Sequence, residues 1–203
     1  MGNAYNTDLS KFNFDYLKDT RYSKVYDVLN VAKDLYKVDK GACCTKLRYA
    51  LEMVVSEIID ICGWQNYKKD RIIDNIRLIE NSLPSDFVDG DDKDIFSEMH
   101  NVRINGNDGT HYDGNKEVDL DKASHTCWIA IKKICKWAVT FEDRYQKYLK
   151  DAQEKARRMA EEARRNKEER NRKIKQYLKT AGKVIAGVAA AVIGVVIGKR
   201  VKL

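Results

Sequence analysis

Residues 47–62 read L-R-Y-A-L-E-M-V-V-S-E-I-I-D-I-C, and this stretch decides the fold class. Its apolar residues recur every three or four positions, which is the period of an amphipathic helix. They form one stripe that consists of Leu47, Leu51, Val54, Ile58, Ile61 and Cys62. Gly63 follows at once, and glycine commonly ends a helix. We therefore predict a long core helix here.

The same helical period surrounds this stretch on both sides. Further helices are expected at 21–41, at 69–83, over two or three turns at 95–102, and from 119 onwards past 145. A very acidic loop at 86–92 separates the third from the fourth. With a single proline in 203 residues, the sequence predicts an all-α protein. Its bundle spans 21–147, and an irregular N-terminal arm over 1–20 lies on the core.

Charge divides the chain. Residues 1–143 carry 20 Lys and Arg against 25 Asp and Glu, whereas residues 144–183 carry 15 against 6. A basic block beside an acidic domain predicts that a phosphate-bearing partner, either nucleic acid or anionic lipid, meets the basic part.

Residues 148–183 are rich in helix formers, with acidic and basic side chains four residues apart. The expected pairs are Glu154 with Arg158, Glu161 with Arg165 and Glu168 with Arg172. Positions suited to a coiled-coil seam are not consistently apolar. We therefore predict a continuous, solvated and basic charged helix in this range.

Residues 184–203 form a glycine-rich apolar tail. Its uncharged run, 184–198, is short for a bilayer at about 1.5 Å per residue. Gly187, Gly194 and Gly198 nevertheless place small residues as close helix packing in lipid requires. We expect a transmembrane anchor, with the tail and the basic helix in contact with lipid and the bulk of the chain cytoplasmic. A buried soluble helix or a sticky C-terminal tail is the alternative.

Met99 to Asp113, M-H-N-V-R-I-N-G-N-D-G-T-H-Y-D, is the one stretch that resembles a site. Arg103 is expected at the end of a short helix, where glycines and asparagines permit a sharp turn that brings His111 back. A histidine base and a guanidinium suit RNA cleavage without a metal or cofactor. The base takes the ribose 2′-OH proton, and the cation stabilises the charged phosphorane. The alternative is structural: these polar side chains fix a turn.

Other polar residues have two open interpretations. Arg48 and Glu52 stand four apart on the core helix and share a face, either as a modest surface ion pair or in a polar role near the central stretch. His100 and His125 are single helical histidines, which we interpret as structural.

Two motifs carry a family resemblance. Arg48-Tyr49-Ala50-Leu51-Glu52 on the second helix, followed by Arg103-x-x-Gly106-Asn107-x-x-x-His111, resembles the HEPN superfamily over 21–145. It is closest to bacterial domains with a Gly-Asn-x-x-x-His signature. The resemblance implies an up-and-down bundle of four or five helices, usually dimeric, in which the Arg and His of two protomers face each other. By this resemblance, Arg103 and His111 correspond to the family's Arg and His. Asn107 is the polar residue between them, and Glu52 and Arg48 are supporting residues.

Many members of that superfamily act in bacterial conflict systems as toxins or antiviral ribonucleases. The resemblance therefore implies a protein of a bacterial defence or toxin-type system, and the apolar tail, which lies outside the resemblance, adds the expected membrane anchor. Its expected activity is metal-independent endoribonuclease cleavage, with RNA or a nucleotide as ligand and a homodimer or higher homo-oligomer as the assembly. The alternative is a non-catalytic oligomerisation or binding module with an unknown protein partner, whose glycine-rich tail disrupts a membrane.

Overall fold

The computed structural model describes residues 7–88, 90–110 and 119–200, with side chains except at 90, 91, 93, 108–110 and 184–200. No strand occurs in these ranges, which confirms the all-α prediction. The helices are α1 (Ser23–Tyr36), α2 (Lys40–Ile61), α3 (Ile72–Ser82), α4 (Gly90–Thr110) and α5 (Leu120–Arg200), with 3-10 turns at Leu9–Lys11, Asp15–Leu17 and Gln65–Tyr67. The chain divides into two compact units, Met1–Tyr148 and Leu149–Leu203.

In the first unit, α2 and α5 run in the same direction. Lys40 at the start of α2 forms an ion pair with Asp121 near the start of α5. At the other end, the Cys62 thiol and the Tyr145 hydroxyl are hydrogen-bonding neighbours. α1 precedes α2 through a short connection and packs against it, and α3 packs against both α2 and α4.

α4 runs opposite to α5, and a buried carboxylate fixes its first turn. Asp92 is 1% exposed, and it accepts a hydrogen bond from the Trp137 indole N–H and two from the Arg144 guanidinium. Further along α4, Glu98 pairs with Lys133. Because α2 is parallel to α5, α4 is antiparallel to α2, and these helices belong to an all-α bundle.

The predicted stripe of α2 lies in the core. Leu47, Leu51, Val54 and Ile58 are fully buried, while Ile61 and Cys62 at the end of the helix are half-buried. Gly63 ends the helix with a φ of 72°, a conformation that favours glycine. Burying large aliphatic side chains is worth about 1.5–3 kcal/mol each, so this stripe is a major source of stability.

The described part of the N-terminal arm, residues 7–20, lies on the core as expected. The rings of Phe12 and Phe14 have centroids 5.5 and 6.1 Å from that of Trp128. The backbone N–H of Thr7 donates to the Tyr36 hydroxyl. Aromatic residues that are scattered in sequence therefore dock the arm against α1 and α5.

The predicted end of α1 near Gly41 was wrong. α1 ends at Tyr36, and α2 begins at Lys40. Asp39 has an extended backbone, and its carboxylate accepts a hydrogen bond from the Ala42 N–H, 2.9 Å away. This side-chain cap satisfies a free N–H of the first turn and starts α2 earlier than the periodicity indicates.

In the second unit, α5 is exposed at every described position from 150 to 180. Glu154 pairs with Arg158 as predicted, whereas Glu161 and Glu168 pair with Arg157 and Arg164, each four residues earlier. The prediction of a continuous solvated helix is therefore confirmed to the end of the described side chains.

The expected transmembrane helix has no counterpart in the described part of the chain. Searched over that part, no helix is both long enough and apolar enough to cross a membrane. The backbone of α5 extends to Arg200, but the side chains of 184–200 lie outside the description. The predicted packing role of Gly187, Gly194 and Gly198 therefore falls outside it too.

Candidate functional site

The candidate site begins where α4 approaches α2 closely, at Gly106. A Cβ atom added at Gly106 would lie 2.5 Å from the Arg48 Cβ and 3.2 Å from the Cys44 carbonyl oxygen. Real Cβ atoms do not approach other atoms so closely, so only glycine permits this separation of the two helices. The crossing places the Gly-Asn motif of α4 directly against the Arg48 motif of α2.

Arg48 and Glu52 form an ion pair beside this crossing, with 3.0 Å between Nη2 and Oε1. Their side chains are 28% and 37% exposed. The Nε of Arg48 is buried and has no hydrogen-bond partner among the described residues. The pair is therefore a partly exposed ion pair that lies beside the central stretch, and its polar role there stays a prediction.

The prediction of a short fourth helix followed by a sharp turn was wrong. α4 is 21 residues long, and Arg103, Asn105, Gly106 and Asn107 all lie inside it. Among the described residues only Gly63 has a positive φ. The Asn105 amide donates to the Asn101 carbonyl one turn earlier, which is a bond within the helix. Gly106 therefore serves helix packing and makes no turn.

Arg103 is a half-buried cation that forms no ion pair with the described part of the chain. Its Nε is buried and makes no hydrogen bond, and the side chain forms no ion pair with any described residue. Burying a charge without a partner is costly, and the cost is offset when an anion binds. A guanidinium in this state is suited to hold a phosphate or carboxylate group.

One flank of α4 aligns four side chains at intervals of three and four residues. They are Phe96, His100, Arg103 and Asn107, of which the last three are half-buried. Helical geometry places positions with these spacings on one face. This flank, which we call the α4 flank, lies beside the Arg77 and Glu80 side chains of α3, since both act electrostatically on His100.

The environment of His100 lowers the pKa of its imidazole. Burial lowers the pKa of His100, and the positive charge of Arg103 lowers the pKa further. Glu80 acts in the opposite direction, and Arg77 adds to the lowering. We interpreted His100 as a structural residue without partners, yet it adjoins Arg103. The three-residue spacing of the two on one helix was the signal in the sequence.

A depression opens at the N-terminal end of the α4 flank. It has a volume of about 540 Å³, and its walls are Glu80, Asn81, Leu83, Ser85, Val88 and Phe96. Volumes of this order accommodate small organic ligands. Phe96 also belongs to the α4 flank, and Glu80 also acts electrostatically on His100.

His111 lies outside the described residues, so its predicted meeting with Arg103 stays a prediction. In sequence it follows Asn107 by four residues, as Asn107 follows Arg103. His125 is structural as interpreted, because its Nδ1 lies 3.0 Å from the Thr7 hydroxyl of the arm. No cluster of three or more metal-ligating side chains occurs within the described ranges.

Comparison with known proteins places the chain in one family. A family described as a domain of unknown function (DUF4145) matches residues 30–162, which is more than half of the chain and includes the entire α4 flank. No curated protein and no solved structure matches the chain. The family's description states no fold or activity, and the HEPN resemblance therefore stays a prediction.

Proposed function

The chain belongs to the DUF4145 family, and from that premise we propose that it is a HEPN-like, metal-independent endoribonuclease of a membrane-associated bacterial defence or toxin system. The observation that supports this most is the half-buried Arg103 guanidinium, which has no ionic partner among the described residues. A phosphodiester supplies the anion that this cation lacks.

In the proposed reaction, His111 removes the proton from a ribose 2′-OH, and the 2′-oxygen attacks the adjacent phosphorus. The bond from phosphorus to the 5′-oxygen breaks, which leaves a 2′,3′-cyclic phosphate and a 5′-hydroxyl that takes up a proton. Arg103 stabilises the negative charge of the phosphorane, and Asn107 holds a phosphate oxygen from the next turn of α4. The Arg48 and Glu52 pair positions this part of α4 through the Gly106 contact.

The proposed assembly is a homodimer or higher homo-oligomer in which two copies of the Arg and His pair face one cleft. The family resemblance is its support. The proposed location is a membrane surface with the bundle in the cytoplasm, which is supported by the apolar run 184–198 and by the basic segment before it.

A second candidate is a non-catalytic oligomerisation module whose tail disrupts membranes. It is favoured by the packing role of Gly106, which explains the glycine of the motif without chemistry. The acidic balance of residues 1–143 also disfavours a long RNA backbone on the bundle.

Cleavage of a single-stranded RNA in the presence of EDTA distinguishes the two candidates. We expect His111→Ala to slow cleavage by about 10²–10⁴-fold, because a general base is lost. Arg103→Ala should slow it by about 10²–10³-fold, and Arg103→Lys should restore little because the planar donor fork is absent. A 2′-deoxy substitution at the cleaved position should block the reaction.

Arg71→Ala is the matched control, because Arg71 is an exposed arginine that pairs with Asp74 on α3. It should cleave at the wild-type rate. If the folded wild-type chain cleaves no RNA, or if His111→Ala cleaves normally, the ribonuclease proposal fails. Growth arrest that survives His111→Ala and disappears on deletion of 184–203 establishes the membrane-disrupting module in its place.

A further inference from the structure

The exposed part of α5 carries large apolar side chains that are accessible to solvent. Ile174, Tyr177 and Leu178 are 48%, 76% and 64% exposed. They fall at positions i, i+3 and i+4, and Ala181 at i+7 continues the series. At 100° per residue these four positions occupy a stripe about 100° wide. We call them the α5 stripe.

The segment that carries this stripe, 170–183, is purely basic. It contains six Lys and Arg and no Asp or Glu, and of the six, Lys173 pairs with Glu169 just outside the segment. The preceding part of α5 differs, because residues 149–169 mix seven basic with six acidic side chains. Charge of one sign is therefore concentrated where the apolar side chains are.

We infer that residues 170–183 lie in the surface plane of an anionic lipid bilayer, with the α5 stripe among the acyl chains and the lysines at the headgroups. An apolar stripe flanked by cations is the composition of interfacial amphipathic helices. Lys173 and Lys175 border the stripe, and long lysine side chains reach headgroups while their stems stay in apolar surroundings. Tyrosine is enriched at this depth, which suits Tyr177.

Two other possible partners of residues 170–183, a nucleic acid and a second copy of the chain, fit this segment less well. A nucleic acid neutralises the cations but leaves Ile174 and Leu178 in water, since phosphate binding does not require aliphatic side chains. A second copy of the segment covers the stripe but brings six cations against six, which is repulsive at contact distance. An anionic bilayer is the occupant that satisfies both the charge and the apolar surface.

The inference rests on the membrane association proposed above and is independent of RNA cleavage. It deepens that proposal, because it names the described side chains before residue 184 that enter the acyl region and gives the orientation of the segment in the bilayer surface. Each basic residue near an anionic surface adds to the attraction, so the segment contributes to binding even without an inserted tail.

Trypsin protection in the full-length chain tests the inference, because trypsin cleaves after Lys175 and Lys179. Vesicles of mixed phosphatidylglycerol and phosphatidylcholine should slow cleavage at these two sites at least about tenfold relative to pure phosphatidylcholine. The triple variant Ile174→Ser, Tyr177→Ser, Leu178→Ser should lose this protection. Met159→Ser is the matched control, since Met159 is a 63% exposed apolar residue beside Glu161 and Glu162, and it should keep the protection.

Vesicle flotation separates the possible failures. If the chain floats but trypsin cleaves equally fast with the two vesicle types, the tail alone binds the chain to the membrane. This inference then fails, while the proposed anchoring stands. If the chain does not float, both fail. Protection by RNA without vesicles assigns the segment to nucleic acid, and concentration-dependent protection without vesicles assigns it to a second copy.

Unchanged tryptophan fluorescence shows that the triple variant keeps the bundle folded.

Discussion

One helix, α5, passes through two environments, and its two parts are helical for different reasons. Up to Tyr148 it is rich in residues that the bundle buries completely, such as Trp128, Ile134 and Phe141. From 150 to 180 every side chain is exposed, and the helix depends on intrinsic propensity and on ion pairs four residues apart. Burial provides the larger free energy, because exposed ion pairs are each worth only about 0.3–0.5 kcal/mol.

The contrast is sharpest for the removal of a large side chain. Phe141→Ala should lower the free energy of unfolding by about 3–5 kcal/mol, because Phe141 is fully buried and contacts the rings of Phe87, Trp137 and Tyr145. Met159→Ala should change it by less than about 0.5 kcal/mol.

Urea unfolding followed by tryptophan fluorescence measures this difference, because Trp128 and Trp137 are buried in the bundle and report on it. Equal effects of Phe141→Ala and Met159→Ala on the unfolding midpoint contradict the proposed division of α5.

The same glycine substitution should have opposite signs in the two environments. Gly106→Ala should destabilise the bundle by about 1–3 kcal/mol, because the new methyl group meets the Arg48 Cβ and the Cys44 carbonyl. Gly182 has nothing within 4 Å of an added Cβ, so Gly182→Ala should stabilise its helix locally by about 0.5–1 kcal/mol.

Unfolding followed by tryptophan fluorescence measures the stability change of Gly106→Ala. Amide hydrogen exchange around residue 180 measures the local stability change of Gly182→Ala. A stabilising Gly106→Ala shows that α2 and α4 separate at no cost, and it removes the structural explanation of this glycine.

The smallest expected effect concerns pH. Burial lowers the pKa of His100 in the native state, so the unfolded state binds more protons between the native and unfolded pKa values. The stability that His100 contributes is present above its pKa in the unfolded state, which is about 6.5. It is lost as the pH falls through its pKa in the native state. His100→Asn should therefore weaken the loss of stability on acidification.

The measurement is the urea midpoint of the wild type and of His100→Asn at about pH 7 and about pH 5. An identical fall in both proteins places the pH dependence elsewhere, and the proximity of His100 to Arg103 then carries no energetic weight.

Local patterns predicted the helices whose burial is regular. The α2 stripe, the end at Gly63 and α3 before Pro84 all followed from a period of three or four residues and from residues that end helices. The charged part of α5 followed from composition alone. Each of these features depends on neighbours within about one turn, and such neighbours are visible in the sequence.

Residues that act through distant partners were misinterpreted. Asn105, Gly106 and Asn107 are typical of a turn, but α4 continues through them because Gly106 packs against Arg48, 58 positions earlier in the chain. Asp92 belonged to a predicted acidic loop, yet it is buried between Trp137 and Arg144. Neither partner can be identified from the residues around these positions.

For the candidate site, the sequence predicted a group of His111, Arg103 and Asn107, supported by Arg48 and Glu52. The structure shows the two motifs in contact through Gly106, while His111 lies outside the described residues. The sequence did not identify His100, because nothing local marks it as a neighbour of Arg77 and Glu80 on α3. That proximity exists only once α3 packs beside α4.

The sequence by itself determined that this protein is helical, which faces are apolar, and where its charge is concentrated, because these properties arise from the residues of single segments. Only the tertiary structure decided that Gly106 is a packing contact, that the Asp92 carboxylate is buried, and that His100 lies near Arg77 and Glu80 of α3. These depend on the distance between helices, which is set by the complementary surfaces of segments far apart in the chain.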